Sequence, residues 1–175
     1  RAEIQKLTMG YLTAVSQAIV NGGWEEADQI LKEITAYQYK HGSNIIPHAN
    51  VIKAELVFNE LNIFIRLAPL YAIAGFILLF LLIGKIFKPT LSTTLAIRIL
   101  MGIMIFGFIA HTAGLGLRWY ISGHAPWSNG YESLIYIAWA TMLAGLLFSG
   151  RSMMTLSATG IISAMTLGVA HLSWM

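Results

Sequence analysis

The chain contains no cysteine, so disulfides, thiolate metal sites and cysteine nucleophiles are excluded within it. Charged residues are scarce, at 11% of the sequence against 57% hydrophobic residues, whereas about one quarter of a soluble domain is charged. Acidic residues are confined to the first 60 positions, with Glu132 as the single exception. Phosphate-binding loops, zinc-ligand spacings and Ser/His/Asp arrangements are also missing. The candidates for chemistry are therefore five histidines, one aromatic loop and scattered tryptophans.

The basic residues give the chain a net charge of +3 and a pI near 9.3. They lie at the ends of apolar runs and do not form a cluster. Because a nucleic-acid partner requires a basic cluster on one face, none is expected. The pattern instead indicates side chains that anchor the protein at the surface of a lipid bilayer.

Four stretches of the chain carry no charge at all. Each runs for about 18 residues or more, which at 1.5 Å per residue crosses a hydrocarbon core of roughly 30 Å. Because lipid offers no hydrogen-bond partner to the backbone, each stretch is expected to be helical. The sequence therefore predicts an all-α integral membrane protein with transmembrane helices at residues 67–84, 99–117, 133–150 and 152–175.

The distribution of Lys and Arg predicts an orientation, because both residues favour cytoplasmic loops. Residues 1–66 and the loop 118–132 are then expected on the outer side, in a periplasm-like space, together with the C-terminal end. The connections that follow the first and third spans carry the basic residues assigned to the inner side: Lys85, Lys88, Arg98 and Arg151.

Residues 1–66 are predicted to form an extracytoplasmic helical domain. Apolar residues recur at helical spacing from Ile4 to Ile19, and again from Trp24 to Tyr37. The intervening Asn-Gly-Gly sequence at 21–23 breaks the pattern, so a helical hairpin is expected. A third helix begins after Pro47 and is predicted to continue unbroken into the first span.

Three of the five histidines fall in, or just above, the outer half of the membrane region: His111, His124 and His171. His111 lies inside the second span, about 10 Å from Arg118 at the outer end. An ionisable residue in a span indicates function, but a neutral His bonded to a neighbouring helix is an equal alternative. Imidazoles at this depth also suit haem iron. The alternative for His171, together with Trp174, is an anchor at the membrane interface, and the alternative for His124 is a polar loop residue. No catalytic residue or metal ligand is assigned.

The loop between the second and third spans concentrates polar and aromatic residues at the outer surface. An aromatic belt at the membrane interface explains part of this composition. The spacing of Asn129 and Glu132 predicts a helix N-cap. The planar guanidinium of Arg118 suits a carboxylate or propionate of a bound ligand. The candidate residues of a haem pocket in this loop are Arg118, Trp119, His124, Pro126, Trp127, Asn129 and Glu132.

The sequence RWYISGHAPWSNGYESL at residues 118–134 resembles the start of the haem-handling module of the system II (Ccs-type) cytochrome c synthases. The sequence KAELVFNELNIF at residues 53–64 resembles the periplasmic helix before the last membrane helix of the B-type part in fused members of that family. The resemblance implies a B-type part that ends with a transmembrane helix at 67–87. An A-type part would start at about residue 91 and include the remaining spans, 91–175.

The resemblance also implies that part of the haem site lies elsewhere. The tryptophan-rich haem-binding motif of the family does not occur here. The chain also starts without an initiator Met or a signal sequence and stops inside an apolar run, so we expect an internal piece of a longer protein. The histidines that ligate haem b are therefore expected in segments before Arg1 or after Met175.

A function follows from the resemblance. The full-length protein is expected in the bacterial inner membrane, where it would deliver haem to the outer face and assist its thioether attachment to apocytochrome c, as a holocytochrome c synthase or haem lyase. Haem, apocytochrome c and membrane lipid are the expected partners, and this segment alone is not expected to be active.

Two alternative functions stay open. One is an extracytoplasmic sensor that relays a signal through four spans. The other is a transporter fragment, for which Gly107, Gly114 and Gly116 are the sole hint.

Overall fold

The computed structural model describes residues 2–43 and 45–172, and within these residues all regular structure is helical. The contacts divide the chain into two compact units, one up to His48 and one from Ala49 onward. In chain order the helices are α1 (Ala2–Asn21), α2 (Glu25–Gly42), α3 (Ala49–Leu61), α4 (Ile63–Phe87), α5 (Thr94–Ser122), α6 (Gly130–Phe148) and α7 (Met153–Leu172).

The first unit is a hairpin of α1 and α2. Small side chains at Ala14, Ala18 and Ala27 are buried between the two helices and allow a close approach. Gly22 has a φ of 77° and its N–H donates to the Ala18 carbonyl at 2.7 Å. This left-handed glycine ends α1 and turns the chain toward α2.

The second unit contains four helices that are long and apolar enough to cross a membrane: α4 together with α3, then α5, α6 and α7. The last helix, α7, packs against both α4 and α6, and α5 packs mainly against α4. The prediction of an all-α, multi-pass membrane protein is therefore confirmed. Each of α4, α5, α6 and α7 is one continuous helix across the described residues, so the breaks near the membrane midplane expected of a transporter are not seen there.

The helix predicted to run unbroken into the first span is divided at Asn62. The backbone of Asn62 takes the left-handed conformation, with a φ of 44°, and this residue separates α3 from α4. Asn tolerates this conformation better than most residues, and it lacks the strong breaking signal of Gly or Pro. The bend brings Phe58 of α3 against Phe64 of α4, with ring centroids 6.0 Å apart.

Small residues and serine hydroxyls join α7 to its two neighbours. The Ser157 hydroxyl donates to the Gly75 carbonyl of α4 at 2.8 Å, and the Ser163 hydroxyl donates to the Ala138 carbonyl of α6 at 2.9 Å. A Cβ at Gly145 of α6 would overlap the Thr159 side chain of α7. In a bundle surrounded by lipid, such close contacts and interhelical hydrogen bonds hold the helices together.

Glycines in α5 form notches that receive aromatic rings of α4. A Cβ at Gly107 would lie 2.9 Å from the Tyr71 ring, and one at Gly114 would lie 3.0 Å from the Phe64 ring. Close packing of α5 on α4 therefore explains why these two positions are glycine. It does not explain Gly116, because nothing lies within 4 Å of the position that its Cβ would take.

We predict that Gly75→Ala destabilises the bundle by about 1–3 kcal/mol, the usual range for overpacking a well-packed core. The added methyl group would lie 3.1 Å from the Ser157 carbonyl oxygen and 3.1 Å from the Ile161 backbone nitrogen. Neither atom moves without displacing α7. Thermal unfolding of the detergent-solubilised protein measures the loss. Gly168→Ala in α7, where the new methyl meets no atom within 4 Å, is the matched control. Equal melting temperatures for the two variants would contradict this packing.

Candidate functional site

The loop between the second and third spans is shorter in the structure than the sequence predicts. Helix α5 continues to Ser122 and α6 begins at Gly130, so the loop 118–132 is reduced to the connection 123–129. Arg118 and Trp119 therefore lie on the last turns of α5, and Glu132 lies on the first turn of α6. Neither Gly nor Pro occurs from Arg118 to Ser122, so the helix continues through these residues. Gly123 ends α5: its φ is 71° and its N–H donates to the Trp119 carbonyl at 3.0 Å.

Helix α6 begins at an N-cap. The Asn129 side-chain oxygen accepts the Glu132 backbone N–H at 2.8 Å, which confirms the predicted cap. The Glu132 carboxylate does not return to the backbone of Asn129, as it would in a capping box. It accepts the Ser128 backbone N–H at 3.0 Å through Oε2, and the Arg118 Nε–H at 3.1 Å through Oε1.

The ion pair between Arg118 and Glu132 joins the C-terminal end of α5 to the N-terminal end of α6. Glu132 is 1% exposed and Arg118 is 33% exposed, so the pair lies at the boundary between the core and the outer surface. Both carboxylate oxygens have a donor, which offsets the cost of burying the charge. The Arg118 terminal amino groups make no hydrogen bond to the described part of the chain. They remain available to a second anion.

The connection 123–129 orients His124 through hydrogen bonds. The His124 Nδ1 lies 2.9 Å from the Ser128 hydroxyl and 3.1 Å from the Ala125 carbonyl oxygen. Because a carbonyl oxygen only accepts, this geometry favours a proton on Nδ1 and leaves the Nε2 lone pair free. The ring is exposed, whereas Pro126 beside it is buried. Ser128 thus links His124 to Glu132 through its hydroxyl and its N–H.

An aromatic groove lies beside the ion pair, between α5 and α6. Its volume is about 220 Å³ and its walls are almost entirely apolar. Glu132, Tyr136 and Trp139 follow one another at helical spacing on one face of α6, so the ion pair stands at the outer end of this face. The groove is lined by Thr112, Leu115, Gly116, Trp119, Pro126, Trp127, Tyr136 and Trp139. Gly116 thus has open space because it forms part of the groove wall.

The rings of the groove are ordered by stacking. Trp139 stacks on Phe108 and on Tyr136, with centroids 5.6 Å apart in both pairs. Trp127 meets Tyr136 edge to face at 5.7 Å. The Trp139 Nε1–H donates to the Thr112 hydroxyl at 2.9 Å, which fixes the indole across the two helices. The result is a continuous row of four rings from the membrane span to the outer connection.

Comparison with known proteins places the chain in a family. It is 43% identical over 148 residues to Protein NrfI of Wolinella succinogenes, a match that covers 83% of this chain and 16% of that protein. It is 42% identical over 89 residues to the cytochrome c biogenesis protein CcsA of Synechococcus sp. strain CC9605, which covers 50% of this chain and 28% of that one. The chain belongs to the Ccs-type family of cytochrome c biogenesis proteins.

Another relative matches a shorter part of this Ccs-type chain at a higher percentage identity. The cytochrome c biogenesis protein CcsA of Prochlorococcus marinus strain MIT 9303 is 64% identical over 36 residues, 21% of this chain and 11% of the relative. The chain thus spans less than a third of the length of each of these relatives. No protein-family model matches it.

The structure gathers some of the predicted site residues of the Ccs-type segment and separates others. One hydrogen-bond network is centred on Glu132, which bonds directly to Arg118 and Asn129. Ser128 extends this network from Glu132 to His124. Trp119, Pro126 and Trp127 line the adjacent groove. His111 is fully buried between α4 and α5, and His171 lies in the last turn of α7. Trp174, expected as an interface anchor, lies outside the described residues.

Four residues that line the groove were not predicted from the sequence: Thr112, Leu115, Tyr136 and Trp139. Their composition is that of any apolar span, and only the pairing of α5 with α6 brings them together. A signal was nevertheless present in the spacing of Glu132, Tyr136 and Trp139, since residues three or four apart share a helix face. That face begins with the one acidic residue of the membrane region.

We predict that Glu132→Gln loosens the outer connection and lowers stability by about 1–3 kcal/mol, the cost of disrupting a buried hydrogen-bonded group. The amide keeps the shape of the side chain but no longer neutralises Arg118. Limited chymotrypsin digestion at the exposed Trp127 should become several-fold faster, as read by mass spectrometry.

Glu60→Gln is the control for this experiment, because Glu60 is an exposed acidic residue of α3. Its digestion rate should equal that of the unmodified protein. A Glu132→Gln protein that resists digestion as well as the control would show that the ion pair does not hold the connection.

Proposed function

We propose that this segment belongs to a membrane protein that brings haem to the outer face of the membrane and assists its covalent attachment to apocytochrome c. The observation that carries the proposal is the aromatic groove with the Arg118–Glu132 pair at its outer end. The cytochrome c biogenesis names of the CcsA relatives support it. The function of the whole protein is part of this proposal, because the segment covers only a fraction of its relatives.

The groove suits the chemistry of haem b. A porphyrin is flat and apolar on both faces, and rings such as Trp127 and Tyr136 pack well against such a surface. Its propionates are anions, and the free amino groups of Arg118 offer charge-assisted hydrogen bonds to one of them. A volume of about 220 Å³ is below the range of roughly 300–1,000 Å³ for a whole ligand pocket. The groove would therefore hold one edge of the ring.

The fit does not include ligands to the haem iron. By resemblance to the family, those histidines are expected in other segments of the protein, and we assign none here. When haem is bound, its vinyl groups supply the carbons to which the cysteine thiols of apocytochrome c add, each S–H adding across one C=C bond. The residues of this chain would orient the ring and exclude water, so that the gain is one of proximity.

The same proposal includes the placement of the segment in a bacterial inner membrane. Residues 1–66 and the connection between α5 and α6 would lie in the periplasm, since the basic residues Lys85, Lys88 and Arg151 lie at the opposite ends of the spans. In a fused protein, residues 67–87 would end the B-type part and residues 91–175 would begin the A-type part. The hairpin of α1 and α2 would serve as a docking or structural element.

Haem content tests the function. The full-length protein, purified in detergent, should show a Soret band and sharpened visible bands after dithionite. Arg118→Gln should lower the haem-to-protein ratio several-fold, because the propionate loses its charged partner. Arg151→Gln, on the connection between α6 and α7, should leave the ratio unchanged. A colourless full-length protein after haem supplementation would refute the proposal and favour a sensor.

Cysteine labelling tests the orientation, since the described segment has no cysteine of its own. In a full-length protein without other cysteines, Ser128→Cys should react with a membrane-impermeant maleimide in intact spheroplasts. Thr90→Cys, in the connection between α4 and α5, should react only after the membrane is opened. The reverse pattern would overturn the proposed orientation without touching the haem experiment.

A further inference from the structure

His111 is enclosed in the outer half of the bundle without a hydrogen bond. It is 0% exposed, and neither ring nitrogen has a partner among the described residues. The backbone of Ile135 on α6 approaches the imidazole but does not meet it with hydrogen-bond geometry. A neutral imidazole carries one donor and one acceptor, and an unpaired polar group surrounded by apolar side chains is costly. The predicted bond from His111 to a neighbouring helix is therefore not formed directly.

A second unpaired polar atom lies beside this imidazole. The Tyr71 hydroxyl is buried and also has no partner, and Tyr71 is 0% exposed. The Tyr71 and His111 rings have centroids 6.1 Å apart and are tilted by 32°. Two neighbouring residues of the core thus present a hydroxyl and two ring nitrogens, and the Ile135 backbone adds a third polar element.

The packing of α5 on α4 holds these groups in one place. Gly107 receives the Tyr71 ring, Gly114 receives the Phe64 ring, and His111 lies between the two glycines on the same face of α5. Positions 107, 111 and 114 are four and three residues apart, so they form one stripe along the helix. The Tyr71 ring is thus held beside His111 by its contact with Gly107, and the Phe64 ring covers His111 from the next turn.

We propose that Tyr71, His111 and the Ile135 backbone together bind one internal water molecule. A buried water commonly makes about three hydrogen bonds to groups that otherwise lack partners, which is the number of elements available here. The water would accept from the Tyr71 hydroxyl or the His111 N–H and donate to the remaining acceptors. It would connect α4, α5 and α6 by polar contacts at a depth where lipid provides none.

A pocket with polar walls lies next to the aromatic ring that packs on His111. This pocket of about 130 Å³ lies at the junction of α3 and α4, and Asn59 and Asn62 give it polar walls. Phe64 also lines this pocket, and its ring packs on His111 with centroids 5.4 Å apart. Phe64 therefore contacts both this pocket and the imidazole that would bind the water.

X-ray radiolytic footprinting of the full-length protein in detergent tests the site directly, because radicals formed from a bound water oxidise the side chain that touches it. Tyr71 should be oxidised on the millisecond timescale despite its burial. Met142, which is equally buried in α6 and intrinsically more reactive, should be oxidised several-fold less. His111→Leu should reduce the Tyr71 signal to the level of Met142. A Tyr71 signal no higher than that of Met142 in the unmodified protein would overturn the proposal.

Thermal unfolding of conservative variants provides a second, independent readout. Tyr71→Phe preserves the ring in the Gly107 notch and should lower the melting temperature by several degrees, since the water loses a partner. His111→Leu should lower it as well, and the double variant should fall no further than the lower of the two. Tyr120→Phe, at a residue that is 55% exposed, should have no effect. A Tyr71→Phe protein as stable as the original, or more stable, would mean that the hydroxyl has no partner and that no water binds there.

Discussion

The burial of the Glu132 carboxylate is the constraint on which the junction of α5 and α6 depends. A charge that is 1% exposed in an apolar bundle requires donors on both oxygens, and Arg118 and the Ser128 N–H provide them. The bonds fix where α5 ends relative to the start of α6. They also fix the connection 123–129, whose His124 is held through Ser128. The groove between the two helices is lined by Trp119, next to Arg118 in the chain, and by Tyr136, one helical turn after Glu132.

Elsewhere in the bundle, close packing and interhelical hydrogen bonds hold the spans together. Without water to drive apolar surfaces together, helices in lipid associate through close contacts and interhelical hydrogen bonds. Gly75, Gly145 and the hydroxyls of Ser157 and Ser163 provide both for α7. The attachment of α5 relies on aromatic rings seated in glycine notches, with His111 between them. The polar contacts proposed at His111 would supply the hydrogen bonds that this seam otherwise lacks.

These two arrangements give α5 a role on each of its faces. One face packs on α4 through small residues, and the other forms an aromatic wall opposite Tyr136 and Trp139 of α6. The wall is rigid because the rings stack and because Thr112 fixes the Trp139 indole. A rigid aromatic surface beside an arginine with free amino groups is suited to a flat, apolar, anionic ligand. Haem, the ligand of the proposed function, has this chemistry.

The sequence alone determined the class of the fold, because uncharged runs of sufficient length have few stable forms in lipid other than helices. It also indicated the cap at Asn129, the hairpin turn at Gly22 and the family resemblance, all of which depend on residues close together in the chain. Tertiary structure decided what depends on helix pairing. The enclosure of His111 by α4 and the pairing of Glu132 with Arg118 both arise from contacts between different helices. Helical periodicity shows which residues share a face, but the face that each helix turns toward another is set by side-chain shape across the interface.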